Sequence, residues 1–139
     1  MVEANIQVNQ EVFISSRVRQ VLLSAGFTEI YTYAMTLNGE VEIENPISGD
    51  KKFLRSNLGI AMEESLEKNF KYLDLLGVSE VKLFEIGKVF KGNSEALHLC
   101  LGVKFPKNKK VDPDEEIAKA IQAVESELGV SVGDISIVG

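Results

Sequence analysis

Residues 81–104 constrain this 139-residue chain more than any other stretch. Val81, Leu83 and Glu85 alternate with Lys82, Phe84 and Ile86 in the period of an extended strand; Gly87 breaks the run, and Val89-Phe90 resumes it. Gly92-Asn93 is a turn dipeptide, and after it Leu97, Leu99, Leu101 and Val103 alternate with His98, Cys100, Gly102 and Lys104. Two such strands joined by two residues predict an antiparallel hairpin. Everything else must cover it.

On the N-terminal side, Asn9 can cap a helix reaching about Ala25, with Ile14, Val18, Val21, Leu22 and Ala25 on one face and Gly26 as its stop. Residues 29–35 (Glu29-Ile30-Tyr31-Thr32-Tyr33-Ala34-Met35) read as a strand. Asn38-Gly39 signals a hairpin whose partner strand is 41–44, closed by Asn45-Pro46. Ser48 to Lys52 read as a polar loop. Ser56 or Asn57 then caps a helix with Leu58, Met62, Leu66, Asn69, Leu73 and Leu76 on one face, ended by Gly77. Beyond the central hairpin, Asp112 (N-cap), Pro113 and Glu115 (capping box) start a helix with Ile117, Ile121, Val124 and Leu128 buried, a Glu115–Lys119 pair on its surface and Gly129 at its end. Residues 134–138 offer a last strand. Three helices with hairpin-linked strands predict an α+β fold with an antiparallel sheet, in a single domain spanning residues 1–139.

Composition narrows function by exclusion. No apolar run approaches the roughly 18 residues of a membrane span, and no basic-then-apolar leader opens the chain, so no membrane partner and a cytoplasmic location are the default. One cysteine and one histidine cannot build a Cys/His zinc site, and no metal ligand set is assigned. A net charge of −6 disfavours a broad phosphate-binding face, leaving Lys104, Lys107, Lys109 and Lys110 as the one local patch for at most a weak tRNA contact. His98 lacks a triad partner and, with Cys100, reads as a packed strand residue. Glu85, in an apolar strand, either pairs with backbone or Arg55 or serves as a base with a raised pKa. Arg55, at a helix entrance, binds an anion or anchors its turn. No catalytic residue and no cofactor site is assigned.

The motifs Ala25-Gly26-Phe27-Thr28-Glu29, Asn45-Pro46-Ile47-Ser48, Leu54-Arg55-Ser56-Asn57-Leu58 with Asn69, and Leu83-Phe84-Glu85-Ile86-Gly87-Lys88-Val89-Phe90 occur in this order. Together they resemble the beta subunit of phenylalanine-tRNA ligase, in its core module similar to a class II aminoacyl-tRNA synthetase catalytic domain. The resemblance implies a class II-like antiparallel sheet flanked by helices, truncated before motif 3, either as an excised piece or as a short relative. It implies Arg55, Asn69, Glu85 and Gly87 as structural motif residues. The motif 1 proline position reads Tyr33 and the motif 2 arginine position falls near Lys91, which lacks the forked geometry that clamps ATP. The resemblance therefore implies a non-catalytic module, with ATP and Mg belonging to the parent complex. It docks on the ligase alpha subunit through the first helix and strand, with Val18, Val21, Leu22, Tyr31 and Tyr33 at the interface. The alternatives are a homodimer through that surface, a degenerate protein binding a nucleotide or amino-acid-like ligand with Arg55 and Glu85, and an RNA-binding module using the lysine loop.

Overall fold

The computed structural model describes residues 10–129 and, for the last strand, the backbone of residues 135–138. The predicted hairpin is its centre: β5 (Val81–Lys91) and β6 (Ser94–Lys104) pair antiparallel through eleven registers, from Val81↔Lys104 to Lys91↔Ser94. Gly92 takes φ 56° while Asn93 stays at negative φ, the sign pattern of a two-residue type II′ turn whose twist suits the hairpin.

Helices cover both hairpin faces, so the strands carry apolar residues on both. Phe84, Leu99, Leu101 and Val103 pack with α1 (Gln10–Ser24) and α4 (Pro113–Leu128), whose Val18, Leu22, Ile117, Ala120 and Val124 complete that layer. Val81, Leu83, Val89 and Cys100 pack on the opposite face with Leu58 and with Met62 and Leu66 of α2 (Gly59–Phe70). At Gly102 the missing side chain is what lets α2 close down. A Cβ there would lie 2.7 Å from Leu66 Cδ1 and 2.9 Å from Met62 Sδ, well inside van der Waals contact.

The edges depart from the all-antiparallel expectation. β1 (Thr28–Glu29) pairs parallel to β5, and β7 (Ile135–Val138) parallel to β6, giving the order β1-β5-β6-β7. The second follows from connectivity: β6, α4 and β7 form a strand–helix–strand crossover, which returns the chain in the same direction. That crossover is visible in the sequence as an apolar strand, a well-capped helix and a branched run.

The expected strand over 29–35 is interrupted. It resolves into β1 and β2 (Met35–Thr36), with 30–34 outside any ladder and a bend at Ala34. Asn38-Gly39 closes no hairpin either. β2 and β3 (Val41–Glu42) do not pair with each other; both flank β4 (Phe53–Leu54), a strand directly after the polar loop that the sequence pattern does not mark. The 37–40 link crosses over β4, and a Cβ on Gly39 would overlap the Leu54 carbonyl oxygen and approach Phe53 Cβ to 3.1 Å. Gly39 is there for close approach, not for a turn conformation.

Helix boundaries hold better. α1 ends in a Schellman pattern, with Phe27 N–H donating to Leu22 O, Gly26 N–H to Leu23 O, and Gly26 at φ 87°; its expected Asn9 cap lies outside the described residues. Ile14 and Ala25 are exposed, so the buried stripe is narrower than the periodicity suggests. The long helix over 58–76 breaks into α2 and α3 (Leu73–Leu76), and Leu76 is exposed. Leu58 is the N-cap, while Asn57 Oδ1 accepts from Ile60 N at 3.3 Å. In α4, Asp112 accepts from Asp114 N at 3.0 Å below Pro113. Lys119 pairs with Glu116 at 3.5 Å, one residue from the expected partner, and Lys82 reaches the other oxygen of the same carboxylate at 3.3 Å.

Candidate functional site

The two buried charged side chains among the described residues are Arg55 and Glu85. Glu85 sits on the α2-facing side of β5, and Arg55 follows β4, with its carbonyl accepting from Phe90 N at 2.9 Å. Their side chains meet at 2.9 Å, Arg55 Nη1 to Glu85 Oε1, and are 9% and 3% exposed. Burying two charges is costly unless every remaining donor and acceptor finds a partner. Here Arg55 Nε donates to Lys88 O at 2.8 Å, and Nη1 donates to Thr32 Oγ1 at 3.0 Å and Thr32 O at 3.3 Å. Glu85 in turn accepts from Thr32 N (3.0 Å) and Thr32 Oγ1 (2.7 Å). Gly87 provides the space: a Cβ there would overlap Arg55 Nη2 and lie 3.2 Å from Cζ.

Of the sequence's candidate residues, the fold thus brings Arg55, Glu85 and Gly87 together and adds Thr32, which no sequence pattern singled out. A threonine between two tyrosines in a branched run carries no sign of being the bridge; only the approach of β4 and β5 makes it one. Asn69 bonds elsewhere but faces the same groove as Thr32. Its Nδ2 donates to Ser65 O within α2 at 2.7 Å. It lines an open groove of about 510 Å³ together with Thr32, Tyr31, Tyr72, Leu75 and Leu76.

The proposed interface residues divide. Val18 and Leu22 are 6% and 0% exposed, and Val21 is half-buried against the same core. The face of α1 they occupy is its inner face, turned to Phe84 and α4. A partner can reach instead Val12, Phe13 and Ile14, 63%, 54% and 44% exposed. Tyr31 and Tyr33 are 78% and 79% exposed. Tyr31 rims the groove, and Tyr33 lies 5.3 Å from Lys51 Nζ in cation–π contact. Beside them Arg19 pairs with Glu29 at 2.6 Å, and that carboxylate raises the Arg19 pKa further.

The remaining candidates stand in different surroundings. Cys100 is buried, and burial, with Glu85 nearby, raises its pKa from 9.0 to about 12, so it stays a thiol. His98 Nδ1 is a buried nitrogen with no protein partner. In the lysine loop, Lys104 pairs with Glu67 and Lys109 with Glu80. Acids of the domain itself therefore offset half of that patch.

The chain matches, over residues 3–130, the family described as the phenylalanyl tRNA synthetase beta chain CLM domain. It is similar to the phenylalanine–tRNA ligase beta subunit of Thermoplasma volcanium, 32% identical over 98 residues, or 66% of this chain and 17% of that protein. It is also similar to the chloroplastic beta subunit of Gracilaria tenuistipitata var. liui, 28% identical over 102 residues (64% and 14%). With the Gloeobacter violaceus beta subunit it shares 33% identity over 90 residues (63% and 11%). The matches span about a sixth or less of those proteins' length. Among solved structures, a pyrrolysyl tRNA synthetase from Desulfitobacterium hafniense shares the fold, with TM-score 0.59 and 17% identity over 94% of this chain and 50% of that one. The architecture is the class II synthetase-like α+β fold.

Proposed function

The chain belongs to the phenylalanyl-tRNA synthetase beta chain CLM domain family, and from that premise we propose that it is a non-catalytic docking module of a phenylalanine-tRNA ligase beta chain, supporting an alpha subunit that performs the chemistry. The observation that carries this reading is the commitment of Arg55. An ATP-binding synthetase site needs a forked cation free to clamp phosphate oxygens. Here the guanidinium is buried and bonded to Glu85, Thr32 and the Lys88 carbonyl, while Lys91, at the motif 2 position, is an exposed point charge at the hairpin tip. These residues do not fit ATP and Mg, and no step is assigned to them.

What the module offers instead is surface. Tyr31 and Tyr33 stand out from the segment beside β5, and the outer face of α1 adds Val12, Phe13 and Ile14. Exposed aromatic and aliphatic side chains of this kind anchor interfaces. The alpha subunit is the partner that this reading assigns to them, and the compartment is the cytoplasm.

Two measurements test the proposal. Titration calorimetry of the chain with ATP or with phenylalanine should give no heat of binding; a micromolar constant for either would reject the non-catalytic reading. Light scattering after mixing with a phenylalanine-tRNA ligase alpha subunit should show a mixed complex. An unchanged alpha peak, or a homodimer indifferent to alpha, would reject the docking reading.

A further inference from the structure

Residues 30–34 pose a mechanical problem. β1 ends at Glu29 and β2 begins at Met35, so no backbone ladder holds the stretch between them, although Tyr31 and Tyr33 project from it. Ile30 N–H still reaches Phe84 O at 2.8 Å. One residue later the β5 backbone no longer serves, and side chains replace it. Thr32 N–H donates to the Glu85 carboxylate, Thr32 O accepts from the Arg55 guanidinium, and Thr32 Oγ1 bridges the two by donating to one and accepting from the other. Arg55 N–H closes the segment by donating to Ala34 O at 2.8 Å.

From this arrangement we propose that the buried Arg55–Glu85 pair, acting through Thr32, positions Tyr31 and Tyr33 for docking; Arg55, Glu85 and Thr32 are positioning residues rather than ligand-binding ones. The inference rests on the docking reading for its partner but not for its mechanics. Along this stretch Thr32 is half-buried while its two neighbours Tyr31 and Tyr33 are exposed. Holding Thr32 inward by both its main-chain groups and its hydroxyl leaves those two neighbours outward. A carboxylate and a guanidinium suit the task because each offers several strong, directional bonds to a backbone that would otherwise be unpaired. A fixed pair of aromatic side chains binds without the ordering cost that a loose segment would incur.

The decisive variant is Thr32→Val, which keeps the shape and the Arg55–Glu85 bond but removes the bridging hydroxyl. Thr32→Ser restores the hydroxyl. Amide hydrogen exchange of the 139-residue chain, followed residue by residue, reads the mechanics; affinity for a phenylalanine-tRNA ligase alpha subunit reads the consequence. In Thr32→Val the Thr32-position amide should exchange on the order of tenfold faster, while amides of the β5–β6 hairpin keep their rates. Alpha binding should weaken mainly through faster dissociation, and Thr32→Ser should behave as the parent in both readouts. Exchange at position 32 that stays unchanged, or that rises only together with the hairpin amides, overturns the positioning mechanism. Local loosening with undiminished alpha affinity overturns its role in docking. If the parent chain itself fails to bind alpha while position 32 loosens as described, the partner assigned under the docking reading is the part that falls.

Discussion

Replacing Gly87 by alanine separates two explanations of that glycine by the sign of the result. If Gly87 were only an interruption in a strand, alanine would stabilise the fold by about 0.4–1 kcal/mol through lost unfolded-state freedom, since the backbone there is not in the left-handed region. The structure says otherwise. The new Cβ would sit on Arg55 Nη2, 3.2 Å from Cζ and 3.3 Å from Leu58 Cδ2. The guanidinium cannot swing away freely, because Nε is bound to Lys88 O at 2.8 Å and Nη1 to Glu85 at 2.9 Å. Moving it sacrifices one charge-assisted bond, about 1.5–3 kcal/mol. Subtracting the entropic gain leaves a net destabilisation of about 0.5–2.6 kcal/mol. Urea unfolding followed by circular dichroism, with the slope checked for constancy, measures it. In an Arg55→Ala background the obstacle is gone, so the same Gly87→Ala change should become neutral or mildly stabilising, a coupling that a double-mutant cycle reads directly. A stabilising Gly87→Ala in the parent chain, or an equal cost in both backgrounds, would refute the space-for-arginine argument.

The other predictions concern the same core and its periphery. Glu85→Gln leaves Arg55 as a buried charge without its counter-ion and should cost about 3–5 kcal/mol in the same urea assay, whereas replacing both partners by apolar residues of similar volume should cost less than either single change. Gly39→Ala forces its Cβ onto a main-chain carbonyl that cannot rotate aside. The damage should stay within β2, β3 and β4, with faster amide exchange over 35–54 and hairpin exchange unaltered. Cys100 should resist iodoacetamide in the native chain at pH 8 and react once urea unfolds it. Its folded pKa is raised, from 9.0 to about 12. The stability due to keeping a neutral thiol is therefore complete below about pH 9 and declines as pH rises from there toward 12. Cys100→Ser should not share that particular alkaline loss.

The elements legible in the sequence are those whose signals are local. The alternation of Val81 to Phe90, the Gly92-Asn93 turn, the Gly26, Gly77 and Gly129 stops and the Asp112-Pro113 start depend on neighbours within a few residues, and all stand where the periodicity puts them. The misreadings share one cause, which is that strand pairing is non-local. Phe53-Leu54 is too short to show a period, and becomes β4 only because β2 and β3 lie on either side of it. Asn38-Gly39 has the composition of a hairpin but serves a crossing. Val18 and Leu22 form a genuine apolar stripe, yet no stripe says whether it faces its own core or a partner.

The sequence by itself determined the hairpin, the three main helices and the family, because periodicity, caps and ordered motifs are properties of the chain read in one direction. Tertiary structure alone decided what Arg55, Glu85, Gly87 and Thr32 do. Thr32 and Glu85 alone are separated by 53 residues along the chain, and a buried ion pair is stable only where both partners and their remaining hydrogen bonds converge. That convergence depends on where β1, β4 and β5 come to lie against one another in space.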